Sequence, residues 1–164
     1  MATTRGRISA FLLLAFCALT SANAFQGPRA SDDEFGPVVR AYLGYLKNEQ
    51  EVVDDRASRR EVSANYYRHN SNRIRALRQM AIKLARETHN DYLPELEAVS
   101  ADEMSLLFGS NPPRAAGLKA GEVLRNTFRF LGAVRVGETF YLFARLDPYE
   151  QAELNEKSSA AVRP

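Results

Sequence analysis

The residues best equipped for chemistry in this chain are arginines. Between Arg56 and Arg86 the sequence holds nine basic residues and one acid, Glu61, a local charge of +8. At 100° per residue, Arg60, Arg68, Arg75, Arg78, Lys83 and Arg86 fall opposite or beside an apolar stripe. A helix with that face can hold an anion. The candidate partners are an acidic protein, a lipid head group, an acidic polysaccharide or nucleic acid. The plainer expectation is internal balance. Glu87, Asp91, Glu95, Glu97, Asp102 and Glu103 form a run of −6 without a basic residue, and Asp147, Glu150, Glu153 and Glu156 follow. Arg59 and Arg73 project into the stripe. They are expected to pair with Glu49, Asp54 or Asp55, or with a polar partner across an oligomer seam.

Other chemistry is sparse. His69 and His89 lie about 200° apart around a single helix, so they cannot share a site and are expected at the surface or at a cap. The paired acids Asp54-Asp55 and Asp102-Glu103 sit at helix boundaries, where they suit the macrodipole better than acid–base catalysis. No nucleophile signature, phosphate-cradling glycine loop or calcium-loop spacing is present, and no cofactor is expected. Tyr45, Tyr66 and Tyr67 could stack a base or sugar beside the arginines, but their spacing suits half-buried helix packing.

The elements that must position these groups are legible from periodicity. Pro37 suits a first helical position, and Val38, Val39, Tyr42, Leu43, Leu46 and Val53 recur at helical steps, predicting a helix to about Asp54. Ser58-Arg59-Arg60-Glu61 has capping-box spacing and opens a second pattern that ends near Asn90. Val62, Tyr66, Tyr67, Ile74, Leu77, Met80, Ala81, Leu84 and Ala85 form its stripe. Val39, Leu46, Val53, Arg60, Tyr67, Ile74 and Ala81 also keep a strict seven-residue spacing across the break. A helical hairpin and one extended helix are therefore both open, with Asp54-Asp55 favouring the hairpin.

Asp91 to Val99 reads as a connector. Ser100 to Glu103 is a further capping box before a short helix at Met104 that Gly109 stops. The period then changes from helix to strand. Phe128, Phe130, Val134 and Val136 alternate with Arg129, Leu131, Ala133 and Arg135, Gly137-Glu138 offers a turn, and Phe140, Leu142, Ala144 and Leu146 alternate with Tyr141, Phe143 and Arg145. Glu122 to Arg125 could add an edge strand. Asp147-Pro148-Tyr149-Glu150 caps a last helix to about Lys157, and 158–164 reads as a frayed tail. The expected fold is α+β. It has a long helical hairpin, or one extended helix, plus short helices on a small antiparallel β-hairpin or three-stranded sheet, all in one domain over 37–157.

The first residues read as an address. Arg5 and Arg7, the apolar run Ile8 to Leu19 and Ala22-Asn23-Ala24 fit a signal peptide for residues 1–24, with cleavage after Ala24. The run is too short to span a bilayer. Cys17, the sole cysteine, lies inside it after Phe16 and lacks the context for lipidation. Cleavage removes two of 22 basic residues and leaves 20 against 20 acids, so the exported chain is neutral and cysteine-free. Residues 25–36 read as a flexible leader. A periplasmic or secreted protein without a transmembrane segment is expected, acting by interaction through its basic helix rather than as an enzyme. The alternatives are an assembly or chaperone-like envelope protein that oligomerises along the heptad stripe, and a small enzyme with a carboxylate site.

Overall fold

Pro37 begins helix α1 (Pro37–Ser58), where its missing N–H costs nothing. Its N-cap, Gly36, has no side chain to offer. Asp91 supplies the cap from far along the chain, 53 residues from Val38 and 52 from Val39, its two carboxylate oxygens accepting from Val38 N–H at 2.8 Å and Val39 N–H at 2.9 Å. In this computed structural model, residues 34–162 are described, with side chains to 158. The expected signal peptide, most of the leader and the last two residues lie outside that range.

The chain turns back after Ser58. Arg60 takes a left-handed conformation, φ 59°, and α2 (Ala64–Thr88) follows behind Ser63, whose hydroxyl accepts from Tyr66 N–H at 3.1 Å. The hairpin is therefore the correct alternative and the extended helix is not. The break also lies later than the capping pattern at Ser58 implied. Ser58 ends α1, its hydroxyl donating to Asp55 O at 2.7 Å. The seven-residue stripe becomes a seam within the hairpin, with Val39, Leu46 and Ala81 buried and Arg60 turned out at the bend.

The fold is α+β, with a four-stranded antiparallel sheet in the order β1-β4-β3-β2. The strands are β1 (Leu96–Val99), β2 (Val123–Leu124), β3 (Phe128–Val136) and β4 (Glu138–Arg145). The expectation of two or three strands is corrected by β1, which lies in the stretch read as a connector. Val136 stands opposite Glu138, so the hairpin tip is Gly137 alone. Gly137 has φ +71°, and a Cβ there would lie 2.6 Å from Asn72 Nδ2, so both conformation and space select glycine.

Both sheet faces are covered. The α2 side holds Leu96, Ala98, Phe140 and Leu142 against Val39, Leu43, Ala76 and Met80. The other side holds Val99, Phe128, Phe130 and Phe143 against Met104 and Phe108 of the short helix α3 (Met104–Phe108). The expected alternation placed Phe128 and Phe130 with Val134 and Val136. A bulge between Phe130 and Gly132 reverses the pleat, so the two phenylalanines serve one face and Leu131, Val134 and Val136 the other. Asp147 caps α4 (Pro148–Val162) as expected, accepting from Tyr149 N–H at 2.8 Å and Glu150 N–H at 2.9 Å. That helix outlasts the predicted end at Lys157 by five residues. Phe35, assigned to the leader, is buried in the larger core. Among the described residues no helix is long and apolar enough to cross a membrane.

Candidate functional site

The six basic residues singled out by spacing do not share one environment. Arg60 belongs to the turn, off the helix face, because its backbone is left-handed. Arg68, Arg75 and Arg86 fall within about 20° of one line along α2, a row ~27 Å long at 1.5 Å per residue. Among the described residues Arg68 donates only to Asn65 Oδ1, at 3.1 Å, and Arg75 only to Asn72 Oδ1, at 3.3 Å. Arg86 is satisfied differently, by Glu34 at 3.2 Å and by Phe35, whose ring centroid lies 5.9 Å away. Lys83 pairs with Glu87 at 3.8 Å.

Arg75 and Arg78 reach the rim of a groove of about 630 Å³ between α1 and α2. Leu46 and Ile74 supply apolar surface there, and Lys47, Gln50, Glu51, Asp54 and Tyr67 complete the lining. Asp54 holds one end together, accepting from Tyr67 Oη at 3.0 Å and Gln50 Nε2 at 2.7 Å. The same Gln50 amide reaches Ser71 Oγ at 3.0 Å. This side of the hairpin is cationic but mixed.

The expected balance by the acidic run is only partly found. Glu95 and Glu97 pair with Arg145, at 3.1 and 3.5 Å, and Glu150 pairs with Arg129. Of that run, Glu87 and Glu103 reach bases of α2. Arg59 meets Asp55 at 2.5 Å as expected, but as the C-cap of α1 rather than from the second helix, and exposed. Arg73 meets Glu103 and none of the α1 acids, because it faces the sheet side of α2.

Arg73 belongs to a cluster the sequence reading missed. His69 Nδ1 lies 2.9 Å from Glu138 Oε2, and Nε2 lies 3.0 Å from Glu103 Oε1 and 2.7 Å from Arg73 Nη2. The ring also packs on Phe140, centroids 5.4 Å apart. His69 is thus not the surface histidine expected, whereas His89 is the left-handed C-cap of α2. Burial alone would raise the Glu103 carboxyl. The Ser100 N–H and hydroxyl, at 3.0 and 2.9 Å, together with Arg73 outweigh burial and hold it down at about 2. Asp102 is also lowered, chiefly by the Ser100 hydroxyl. Glu103 is therefore an ionised acceptor, engaged by a backbone amide, a hydroxyl and a guanidinium. Such a group ties elements together; it does not shuttle protons. Among the described residues no group of three His, Cys, Asp or Glu side chains is arranged to hold a metal ion.

No protein-family model, curated protein or solved structure matches this chain. Its functional reading therefore rests on the site itself. The sequence signals for the missed cluster were local and incomplete. His69 and Arg73 are four apart on one helix face, and Ser100-x-x-Glu103 is a capping box. Nothing local points to Glu138, which is 69 residues from His69.

Proposed function

We propose that this chain is an exported, non-enzymatic interaction protein that meets an acidic protein segment at the α1–α2 groove and the basic row beside it. The observation that carries the reading is that, among the described residues, Arg68 and Arg75 spend their guanidinium donors on neutral amides, and Arg75 lines a groove in which Leu46 and Ile74 supply apolar surface. An ion pair with a partner's carboxylate replaces a weak neutral contact there. Glu51 and Asp54 on the same groove disfavour a uniform polyanion, and the concave shape disfavours a flat lipid surface. Removal of residues 1–24 during export belongs to the same proposal, and N-terminal sequencing of the exported chain should begin at Phe25.

The test is fluorescence anisotropy of a labelled peptide of alternating glutamate and leucine with the chain from residue 25 onward. Binding should weaken with salt, and the double variant R68E/R75E should lose about tenfold or more, roughly 1.4 kcal/mol. Binding to heparin or anionic vesicles with none to the peptide would reject the acidic-protein reading. Indifference to the double variant would reject the site.

Self-association is a second reading, favoured by one observation. Val38, Tyr45 and Val52 follow a seven-residue spacing on the outer side of α1 and are 51, 55 and 53 % exposed. Sedimentation that gives a monomer at every concentration removes it.

A further inference from the structure

His69 sits where four charged groups from three elements converge. Its own helix supplies Arg73, the turn Ala101–Glu103 supplies Asp102 and Glu103, and the start of β4 supplies Glu138. Three carboxylates against one guanidinium leave a local excess of negative charge. The ring is 23 % exposed, open enough for a proton to enter from water and shielded enough for its ionic bonds to count.

The hydrogen bonds around the ring do not fit a single protonation state. Glu138 Oε2 lies 2.9 Å from Nδ1, and an ionised carboxylate only accepts, so Nδ1 carries a proton. Nε2 faces two groups of opposite demand. Glu103 Oε1, 3.0 Å away, accepts; Arg73 Nη2, 2.7 Å away, donates. A neutral ring with its proton on Nδ1 satisfies Arg73 but turns a lone pair towards Glu103. A charged ring donates to both carboxylates and leaves Arg73 to Glu103 alone. Arg73 can make that exchange, because its bonds here all run through Nη2 and its buried Nε has no acceptor among the described residues.

The partner that changes holds a piece of the fold. Glu103 is the N-cap of α3, and Met104 and Phe108 behind it cover Phe128, Phe130 and Phe143 on the sheet. Among the described residues, the only polar contacts between α2 and residues 100–108 are those of His69 and Arg73 with Glu103.

We infer that His69 is a proton-operated latch. With its second proton it straps Glu103 and Glu138 to α2 and clamps α3 on the sheet; without it, Arg73 alone ties α3 to α2. Histidine is the side chain that changes charge between about pH 5 and 8. The charged ring is the form that gains an acceptor, so the latch is engaged on the acid side and released as pH rises. Glu103, held at about 2, stays ionised throughout that range and adds no change of its own.

The test is amide hydrogen exchange of the chain from residue 25 onward between pH 5 and 8, each rate taken relative to the unprotected rate at that pH. Protection at the end of α3, where Gly109 N–H donates to Ser105 O, should fall about tenfold from pH 5 to 8, the effect of roughly one charge-assisted hydrogen bond. His69→Gln should flatten the profile, and His89→Gln, at the second of the two histidines, should leave the fall intact. Nitrogen NMR of the unaltered ring needs no variant. At pH 8 it should show one proton, on Nδ1, and on acidification the second should arrive on Nε2. A proton on Nε2 at pH 8, a ring that keeps one charge state from pH 5 to 8, or α3 protection indifferent to pH would overturn the inference. So would a fall that survives His69→Gln.

Discussion

Replacing Glu103 by glutamine should remove a pH-dependent share of the folding free energy. The carboxyl titrates at about 2 instead of the ordinary 4.5, and its side chain is 20 % exposed. A difference of ~2.5 units corresponds to about 3 kcal/mol at roughly 1.4 kcal/mol per unit. Solvent reaching the exposed fifth reduces that to ~2–3 kcal/mol. Glutamine keeps an acceptor for the Ser100 N–H but offers Arg73 and His69 no charge. The folded-state value is depressed, so the stabilisation is complete above the unfolded value near 4.5 and is lost as pH falls through about 2. Urea unfolding at neutral pH should therefore place E103Q ~2–3 kcal/mol below the wild type. By about pH 2.5 the gap should shrink to roughly a quarter. A neutral-pH gap under ~0.5 kcal/mol, or a gap that does not shrink in acid, would refute the account of Glu103.

Two other outcomes follow from single contacts. Asp91→Ala should cost about 1–2 kcal/mol and raise amide exchange in the first turn of α1, because it uncaps Val38 and Val39; unchanged exchange there would refute the capping role. Burial, helped by Tyr45 and Glu97, pushes the Tyr42 hydroxyl up to about 12. In an ultraviolet titration one tyrosine, absent in Tyr42→Phe, should stay protonated well above pH 10, and the stability it lends should be full below pH ~10 and fade as pH rises through about 12.

The helical hairpin was readable because Pro37 and the 3.6-residue stripe act locally. Its turn was misplaced because Ser58-x-x-Glu61 imitates a cap as well as the true N-cap at Ser63. The left-handed Arg60 decides, and nothing in its side chain announces that backbone. β1 escaped notice for a different reason. Four residues after Pro94 carry too little alternation to distinguish a strand from a connector. Their partner, β4, lies more than 40 residues on. The face switch in β3 had one local sign, Gly132, whose φ of +144° accompanies the bulge. For the basic face, charge counting found the residues but not their neighbours. Whether an arginine meets an amide or a carboxylate depends on tertiary contacts such as Glu34 with Arg86.

β4 has a consequence for the order in which the molecule can form. Phe140 and Leu142 lie in one core, and Phe143 between them and Arg145 lies in the other. The same strand pairs with β1 on one edge and β3 on the other. During synthesis the helical hairpin emerges first, and its sheet-facing side has nothing to close on. Neither core is complete until β4 has left the ribosome. Neither face can close before β4 arrives, and its arrival lets both close together.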